Sequence, residues 1–393
     1  MNSNNLFFRP PLFVLLLILL SCSESVDRSS EFPFSISENI QIIGHKGSGP
    51  INNLGNDRYH ENGKPAVINA LEKTDGTEID IQMSKDSTLW LFHDHEIINC
   101  SDDLINFSNC SDVVLDSLND CKFSGQLITL SQFNSLLKKF PKKIISLDLK
   151  VLSNPVITKS WKKEEAVSYI FNSIDSILSE RDYLIEIPEN ISMTLAKKHT
   201  GQDVFKVIYE EESISKYSTS DNISMPFTID SDSQDGFNKI QLWTPNTISE
   251  ILKTIDQDPD IIQTDNIDLA EFIINVRDHH HPVCDSVIDI NFTRSTEEYS
   301  SIIEDQPLPK GAKLFMLDID EFKSGKEQYL VVAINNKNGD NIYWESNDIT
   351  DPYPHLFMHS KYAKGMEASY SVYIWNKALN PLNIDAKLLM YNQ

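Results

Sequence analysis

The chain has 393 residues, with 34 Lys and Arg against 58 Asp and Glu, and a formal net charge of −24. Its length and its 40% hydrophobic residues exclude a small disulfide-dependent scaffold and a wholly disordered chain. Without a basic stripe, that charge argues against nucleic acid as a partner, and an anionic substrate would need a bound cation or a local lysine cluster to hold it.

Residues Leu12 to Leu20 (LFVLLLILL) form an apolar run behind Arg9 and ahead of Ser21-Cys22-Ser23. It is too short for an ordinary spanning helix and reads as a signal peptide over 1–21. Leu19-Leu20-Ser21-Cys22 resembles the lipobox of bacterial lipoproteins, which implies lipidation at Cys22. The expectation is an exported protein of the bacterial cell envelope, lipid-anchored to a membrane surface through a tether at 22–38. Three of the other four cysteines (Cys100, Cys110, Cys121) crowd one segment, so one loop-closing disulfide is expected there, with its pairing open.

Eight short apolar runs follow at 40–43, 78–83, 144–149, 183–187, 205–209, 225–229, 240–243 and 261–264. Between them lie stretches with helical spacing, such as 130–140 and 161–178. Parallel strands need crossover helices, so the pattern predicts a TIM (β/α)8 barrel over 39–276. After Arg277 the texture becomes alternating, with runs at 286–292, 312–320, 329–334 and 370–375 and an Asn-Gly hairpin signal within 335–341. A smaller all-β sandwich domain of unknown role is therefore expected over 277–393.

Three polar clusters interrupt the barrel strands at their C-terminal ends, where barrel enzymes build their sites. They are Gly44-His45-Lys46-Gly47; Glu78-Ile79-Asp80 with Lys85-Asp86 and His93-Asp94 behind it; and Asp148-Leu149-Lys150. The i, i+2 spacing puts Glu78 and Asp80 on one side of their strand. Three converging carboxylates, Glu78, Asp80 and Asp148, would repel one another unless a hard cation, Mg²⁺ or Ca²⁺, joined them. Such a cation would also polarise a phosphoryl group. Lys46 and Lys150 add positive charge, and His45 and His93 can divide general base and general acid work, as phosphodiester hydrolysis requires.

These residues resemble the glycerophosphodiester phosphodiesterase family along the whole barrel segment. The family's His-Arg-Gly is similar to His45-Lys46-Gly47, and its Glu-Asn-Thr to Glu61-Asn62-Gly63. Its Glu-x-Asp, Lys-Asp and His-Asp elements are present as Glu78, Asp80, Lys85, Asp86, His93 and Asp94. Asp148-Leu149-Lys150 looks like its Glu-x-Lys, Trp243-Thr244-Pro245-Asn246 like its Trp-Thr-x-Asn, and Thr264-Asp265 like its closing Thr-Asp. The resemblance implies a metal held by Glu78, Asp80 and Asp148, an acid/base pair of His45 and His93, and substrate contacts from Lys46, Lys150 and Trp243. It implies a small glycerophosphodiester as substrate, with glycerol 3-phosphate and an alcohol as products. Two departures bear on affinity and metal choice: Lys46 replaces an Arg and loses the two-pronged phosphate contact, and Asp148 is one methylene shorter than the family's Glu. A lysophospholipid or sphingolipid phosphodiesterase, and an inactive surface binding lipoprotein, are the rival readings.

Trp243 serves as readily for barrel packing as for a substrate wall. His60 and His95 match no motif and are expected at the surface. The run His279-His280-His281 reads as a solvated linker. Tyr343, Trp344, Tyr373 and Trp375 read as ordinary packing of a β domain.

Overall fold

Eight strands of the structure, a computed structural model, run parallel and close on themselves. Residues 36–49, 59–218, 220–229 and 236–278 are described, together with eight strands between 283 and 392. The expected signal peptide, Cys22, most of the tether and the His279-His280-His281 run lie outside the described residues. Among the described residues, no helix is long and apolar enough to cross a membrane.

In chain order, β1 (Gln41–Gly44) and β2 (Gly76–Met83) precede three short strands, β3 (Leu89–Leu91), β4 (Glu96–Ile98) and β5 (Leu104–Asn106). Then come β6 (Ile144–Asp148), β7 (Leu184–Ile187), β8 (Asp203–Val207), β9 (Asn222–Pro226), β10 (Lys239–Trp243) and β11 (Ile261–Thr264). Neighbours pair parallel from β2 through β6 to β11, and β1 closes the ring by pairing with both β11 and β2. β3 adds to β2 antiparallel, and β4 pairs with β5 as a separate hairpin.

The helices are α1 (Lys64–Lys73), α2 (Asp112–Lys122), α3 (Leu130–Leu137), α4 (Pro155–Ser160), α5 (Lys163–Ile177), α6 (Met193–His199), α7 (Ile248–Ile255) and α8 (Ile267–Arg277). Local chemistry fixes several starts. Thr129 with Gln132, and Thr247 with Glu250, form reciprocal capping boxes at α3 and α7, satisfying amides the helix leaves unpaired. Asn266 caps α8 by accepting from Leu269 N–H.

Alternation along each barrel strand sorts side chains between helix layer and interior. Ile79, Ile81, Leu147, Ile185 and Val204 face outward and pack with Phe133, Val167, Ile170 and Phe171. Inside, Ile43, Phe205 and Ile261 pack with Ile144 and Leu184 as an apolar floor. Above that floor the inward residues turn polar: Ser146, Glu186, Ser224, Gln241 and Gln263 are all buried. At the seam Arg277, at the end of α8, bonds Asp75 through both Nη1 (2.7 Å) and Nη2 (3.0 Å), and its Nη1 also donates to the Ile40 carbonyl. This buried two-pronged clasp joins the last helix to the residues beside β1 and β2.

Seven of the eight predicted runs lie within about two residues of a barrel strand, and 261–264 coincides with β11. The run at 225–229 is displaced: β9 spans Asn222–Pro226. Asn222 and Ser224 are buried polar residues of that strand, and they break the apolar pattern that would have marked it.

Beyond the barrel are β12 (Val283–Arg294), β13 (Tyr299–Pro307), β14 (Ala312–Lys323), β15 (Gln328–Asn336), β16 (Asn341–Asp348), β17 (His355–Met358), β18 (Ala368–Asn376) and β19 (Leu382–Asn392). They pair antiparallel in two four-stranded sheets, β12-β19-β14-β17 and β13-β18-β15-β16. Each of the four runs expected there falls inside a strand, and β15 and β16 pair across the Asn-Gly signal. Trp375 is half-buried and stacks on the exposed Tyr299, with ring centroids 5.9 Å apart, so it does not lie in a core as expected. The side chains of Tyr343 and Trp344 lie outside the described residues.

Candidate active site

A cavity of about 480 Å³ opens at the C-terminal ends of the barrel strands. His45, Lys46, Glu78, His93, Asp148, Lys150 and Trp243 all line it, so seven of the eight barrel residues singled out in the sequence meet there. Asp80, the eighth, lies beside them: one oxygen from each of Glu78, Asp80 and Asp148 falls within 4.8 Å of the others.

The loop after β1 is shaped by backbone that L side chains rarely adopt. Lys46 has φ 50° and Gly47 φ 78°, and a Cβ at Gly47 would sit 2.8 Å from the α1 backbone at Ala66 and Val67. This tight turn aims the Lys46 N–H at Glu78 Oε2 (2.7 Å) and holds the Gly47 N–H on the Glu78 carbonyl (3.0 Å). The Lys46 ammonium lies 3.4 Å from Glu61.

Asn62 is fully buried at φ 60° and fixes Asp80 from two sides. Its Nδ2 donates to Asp80 Oδ2 at 2.8 Å, and its Oδ1 accepts from the Asp80 N–H at 2.9 Å. Lys150 Nζ lies 2.7 Å from Asp148 Oδ2 and 3.7 Å from Asp80 Oδ1.

The carboxylates are unequal. Burial, then the charges of Asp80, Glu186 and Asp148, push Glu78 well above the ordinary carboxylate range. Burial likewise raises Asp148, which Lys150 opposes and Glu186 and Asp80 reinforce, to about 7. Burial would raise Asp80 too, yet Lys150, His93, Lys46 and the Asn62 hydrogen bond hold it below its usual value. Burial would lower Lys150, but Asp148 and Asp80 push it well above the ordinary lysine range.

Both imidazoles are aligned by carboxylates. His45 Nδ1 lies 2.8 Å from Asp265 Oδ1, and Asp265 accepts from Asn246 Nδ2 at 2.8 Å through its other oxygen. A carboxylate only accepts, so His45 carries its proton on Nδ1 and leaves Nε2 free, 4.0 Å from Glu78 Oε2. His93 Nδ1 meets Asp94 Oδ1 at 2.7 Å and is oriented the same way. Burial would raise Asp265, but its bond to His45 and that from Asn246 keep it below the usual range.

An ion has a physical reason to sit among Glu78, Asp80 and Asp148. Glu78 Oε1 is buried and has no hydrogen-bond partner. Leaving a buried carboxylate oxygen unpaired is costly, and a cation would satisfy it. The donors are all hard oxygens, which suit Mg²⁺ or Ca²⁺ rather than soft metals.

Three features were not singled out in the sequence. Glu186 on β7 lines the cavity as a fourth carboxylate, accepting from Ser146 Oγ (2.8 Å), Gln263 Nε2 (2.8 Å) and Ser224 Oγ (2.7 Å). Tyr209 also lines it, edge-on to Trp243 with centroids 5.9 Å apart. His95, expected at the surface, is a cavity residue whose Nε2 lies 3.1 Å from Ser153 Oγ. His60 is half-buried, edge-on to Phe123. The expected disulfide joins Cys100 to Cys121, and Cys110 is free and buried.

No family model matches the chain, and no curated protein does. Solved glycerophosphodiester phosphodiesterases match it. One from Thermotoga maritima is 19% identical, covering 58% of this chain and 96% of its own, with a TM-score of 0.43. One from Parabacteroides distasonis is 17% identical, covering 63% and 100%, with a TM-score of 0.44. A phosphodiesterase from Oleispira antarctica, solved with its product sn-glycerol-3-phosphate, is 16% identical, covering 60% and 96%, with a TM-score of 0.43. These are likenesses of backbone course, and the chemistry has to be read from the side chains.

Proposed function

We propose that this chain is a metal-dependent phosphodiesterase that hydrolyses glycerophosphodiesters to glycerol 3-phosphate and an alcohol. The observation that carries the reading is the buried Glu78, Asp80 and Asp148 group in the same cavity as two carboxylate-aligned imidazoles. Glu78, Asp80 and Asp148 would hold one divalent ion, Mg²⁺ or Ca²⁺, which when bound supplies Lewis-acid polarisation of a phosphoryl oxygen. Lys46 and Lys150 add the positive charge that an acidic protein needs to keep a phosphodiester in place.

His45 and His93 each present a free Nε2 to the cavity. One takes a proton from the attacking water, and the other, when it carries a proton on Nε2 as well as on Nδ1, gives that proton to the departing alkoxide as the phosphorus–oxygen bond to the alcohol breaks. Asp265 and Asp94 fix which nitrogen is free, so neither ring has to reorient during the reaction. Trp243 and Tyr209 supply the apolar wall against which the glycerol or alcohol portion rests.

On the same reading the chain is exported and carried on a membrane of the bacterial cell envelope by acyl chains on Cys22, supported by the apolar run that ends at Leu-Ser-Cys. The two C-terminal sheets then form a separate sandwich domain beyond residue 276, supported by their alternating sequence.

The test is turnover of a panel of glycerophosphodiesters by the purified chain, with and without EDTA, and with Mg²⁺ or Ca²⁺ restored. Turnover abolished by EDTA and recovered with one ion is expected. EDTA-resistant turnover, or none with any ion, sinks the proposal.

A further inference from the structure

Seven large hydrophobic side chains are exposed among the described residues. Four of them, Ile98, Leu104, Val113 and Val114, fall in the single stretch 96–122, which comprises the β4–β5 hairpin and α2. Ile98 and Leu104 are direct partners across the hairpin and are 46% and 63% exposed, and Val113 is 78% exposed. They are not the residue of a poorly filled core. The same stretch buries Ile97, Phe107, Leu115 and Leu118 in a compact cluster with Trp90 and Leu127.

The hairpin is braced rather than free. A two-stranded hairpin alone is marginal in water, but here the Cys100–Cys121 disulfide and the 2.5 Å Lys122–Asp102 ion pair fasten its tip to α2. Its foot is the cavity wall, because the Phe107 N–H donates to the carbonyl of His95, itself a cavity residue, at 2.8 Å. Ile98 lies three residues beyond His95, roughly 10 Å along an extended chain. The exposed apolar pair is thus within about that distance, along the chain, of a cavity residue, and interfacial elements enter the headgroup boundary to about 5–10 Å.

Charge selects the kind of surface. The stretch carries Glu96, Asp102, Asp103, Asp112, Asp116 and Asp120 against Lys122 alone, so an anionic bilayer repels it. We propose that the β4–β5 hairpin, with the start of α2, docks the chain on a zwitterionic lipid surface, and that the cavity draws its phosphodiester from lipid headgroups there. This deepens the function proposed above and rests on it for the chemistry, though not for the docking.

The test uses the purified chain carrying Cys22→Ser, so that no acyl anchor contributes, in sedimentation with phosphatidylcholine vesicles and with phosphatidylglycerol vesicles. Binding to phosphatidylcholine is expected, and Ile98→Ser with Leu104→Ser lowers it on the order of tenfold, as losing two partly exposed aliphatic contacts should. Hydrolysis of lysophosphatidylcholine micelles falls in parallel, while turnover of soluble glycerophosphocholine stays unchanged and reports an intact fold. Val113→Ser, on the helix rather than the hairpin, is the independent second variant and weakens binding severalfold. Failure to bind phosphatidylcholine, equal binding by the variants, preference for phosphatidylglycerol, or undiminished micellar activity overturns the docking proposal. Absence of glycerophosphocholine turnover in the parent overturns the chemistry instead, and vesicle binding still decides the docking.

Discussion

Replacing Asn62 should show how much of the proposed metal pocket is held in shape from outside the carboxylate group. The side chain makes two hydrogen bonds to Asp80, one of them to a charged carboxylate, in a fully buried setting. Asn62→Gly removes both while tolerating the φ of 60°, so backbone strain does not confuse the result. It leaves the Asp80 N–H and one carboxylate oxygen without these partners. At about 1–3 kcal/mol for each of the two buried groups left unpaired, a loss of roughly 2–6 kcal/mol is expected, read as a lower midpoint in urea at constant slope. Asp80 also loses the hydrogen bonds that fix its rotamer beside Glu78 and Asp148, so divalent-ion affinity should fall about 10–100-fold by titration calorimetry. Stability within about 0.5 kcal/mol of the parent, together with ion affinity within twofold, would refute the claim that Asn62 preorganises the site.

Two further outcomes follow from the same geometry. His45→Ala and His93→Ala should abolish turnover with divalent-ion affinity and the thermal midpoint nearly unchanged, and Asp265→Asn should cut turnover by orders of magnitude by freeing the His45 tautomer; wild-type rates in any of the three would remove that group from the proton path. The ion-free protein should lose stability as pH rises from about 4 to about 7, because Asp148 (raised to about 7) and Glu78 keep protons in the fold that the unfolded chain releases near the ordinary carboxylate value. Added Mg²⁺ or Ca²⁺ should reverse that loss, and a flat stability profile across the window, measured by urea unfolding, would contradict the raised values.

What could be read from the sequence depended on which way each residue faced. The barrel was legible because outward positions such as Ile79, Ile81 and Ile185 are strictly apolar. Glu78, Asp80 and Asp148 stood out as carboxylates in apolar strands beside further polar residues. Glu186 has the same signal within YLIEI, but it is a single residue whose partners, Ser146, Ser224 and Gln263, come from three distant strands. No local spacing encodes that convergence. Ser224 and Asn222 went further and hid the strand that carries them. Asn62 was visible only as part of a family-like triplet, and its hold on Asp80 depends on a left-handed backbone that sequence does not announce. His95 was missed because its role comes from the hairpin foot it anchors.

The pairing of His45 with Asp265 has a consequence for how the protein is made. The two residues are 220 positions apart in the chain. At about 5–20 residues per second on the ribosome, the histidine emerges roughly 10–45 s before the aspartate that orients it. Once Asp148 has been made, and until Asp265 follows, the growing polypeptide carries both histidines and every proposed metal ligand, yet β1 has no β11 to pair with and the imidazole has no fixed tautomer. The proposed site is in this sense completed by the last barrel strand, and a fragment truncated before Thr264 would carry the proposed metal ligands without the aligned histidine.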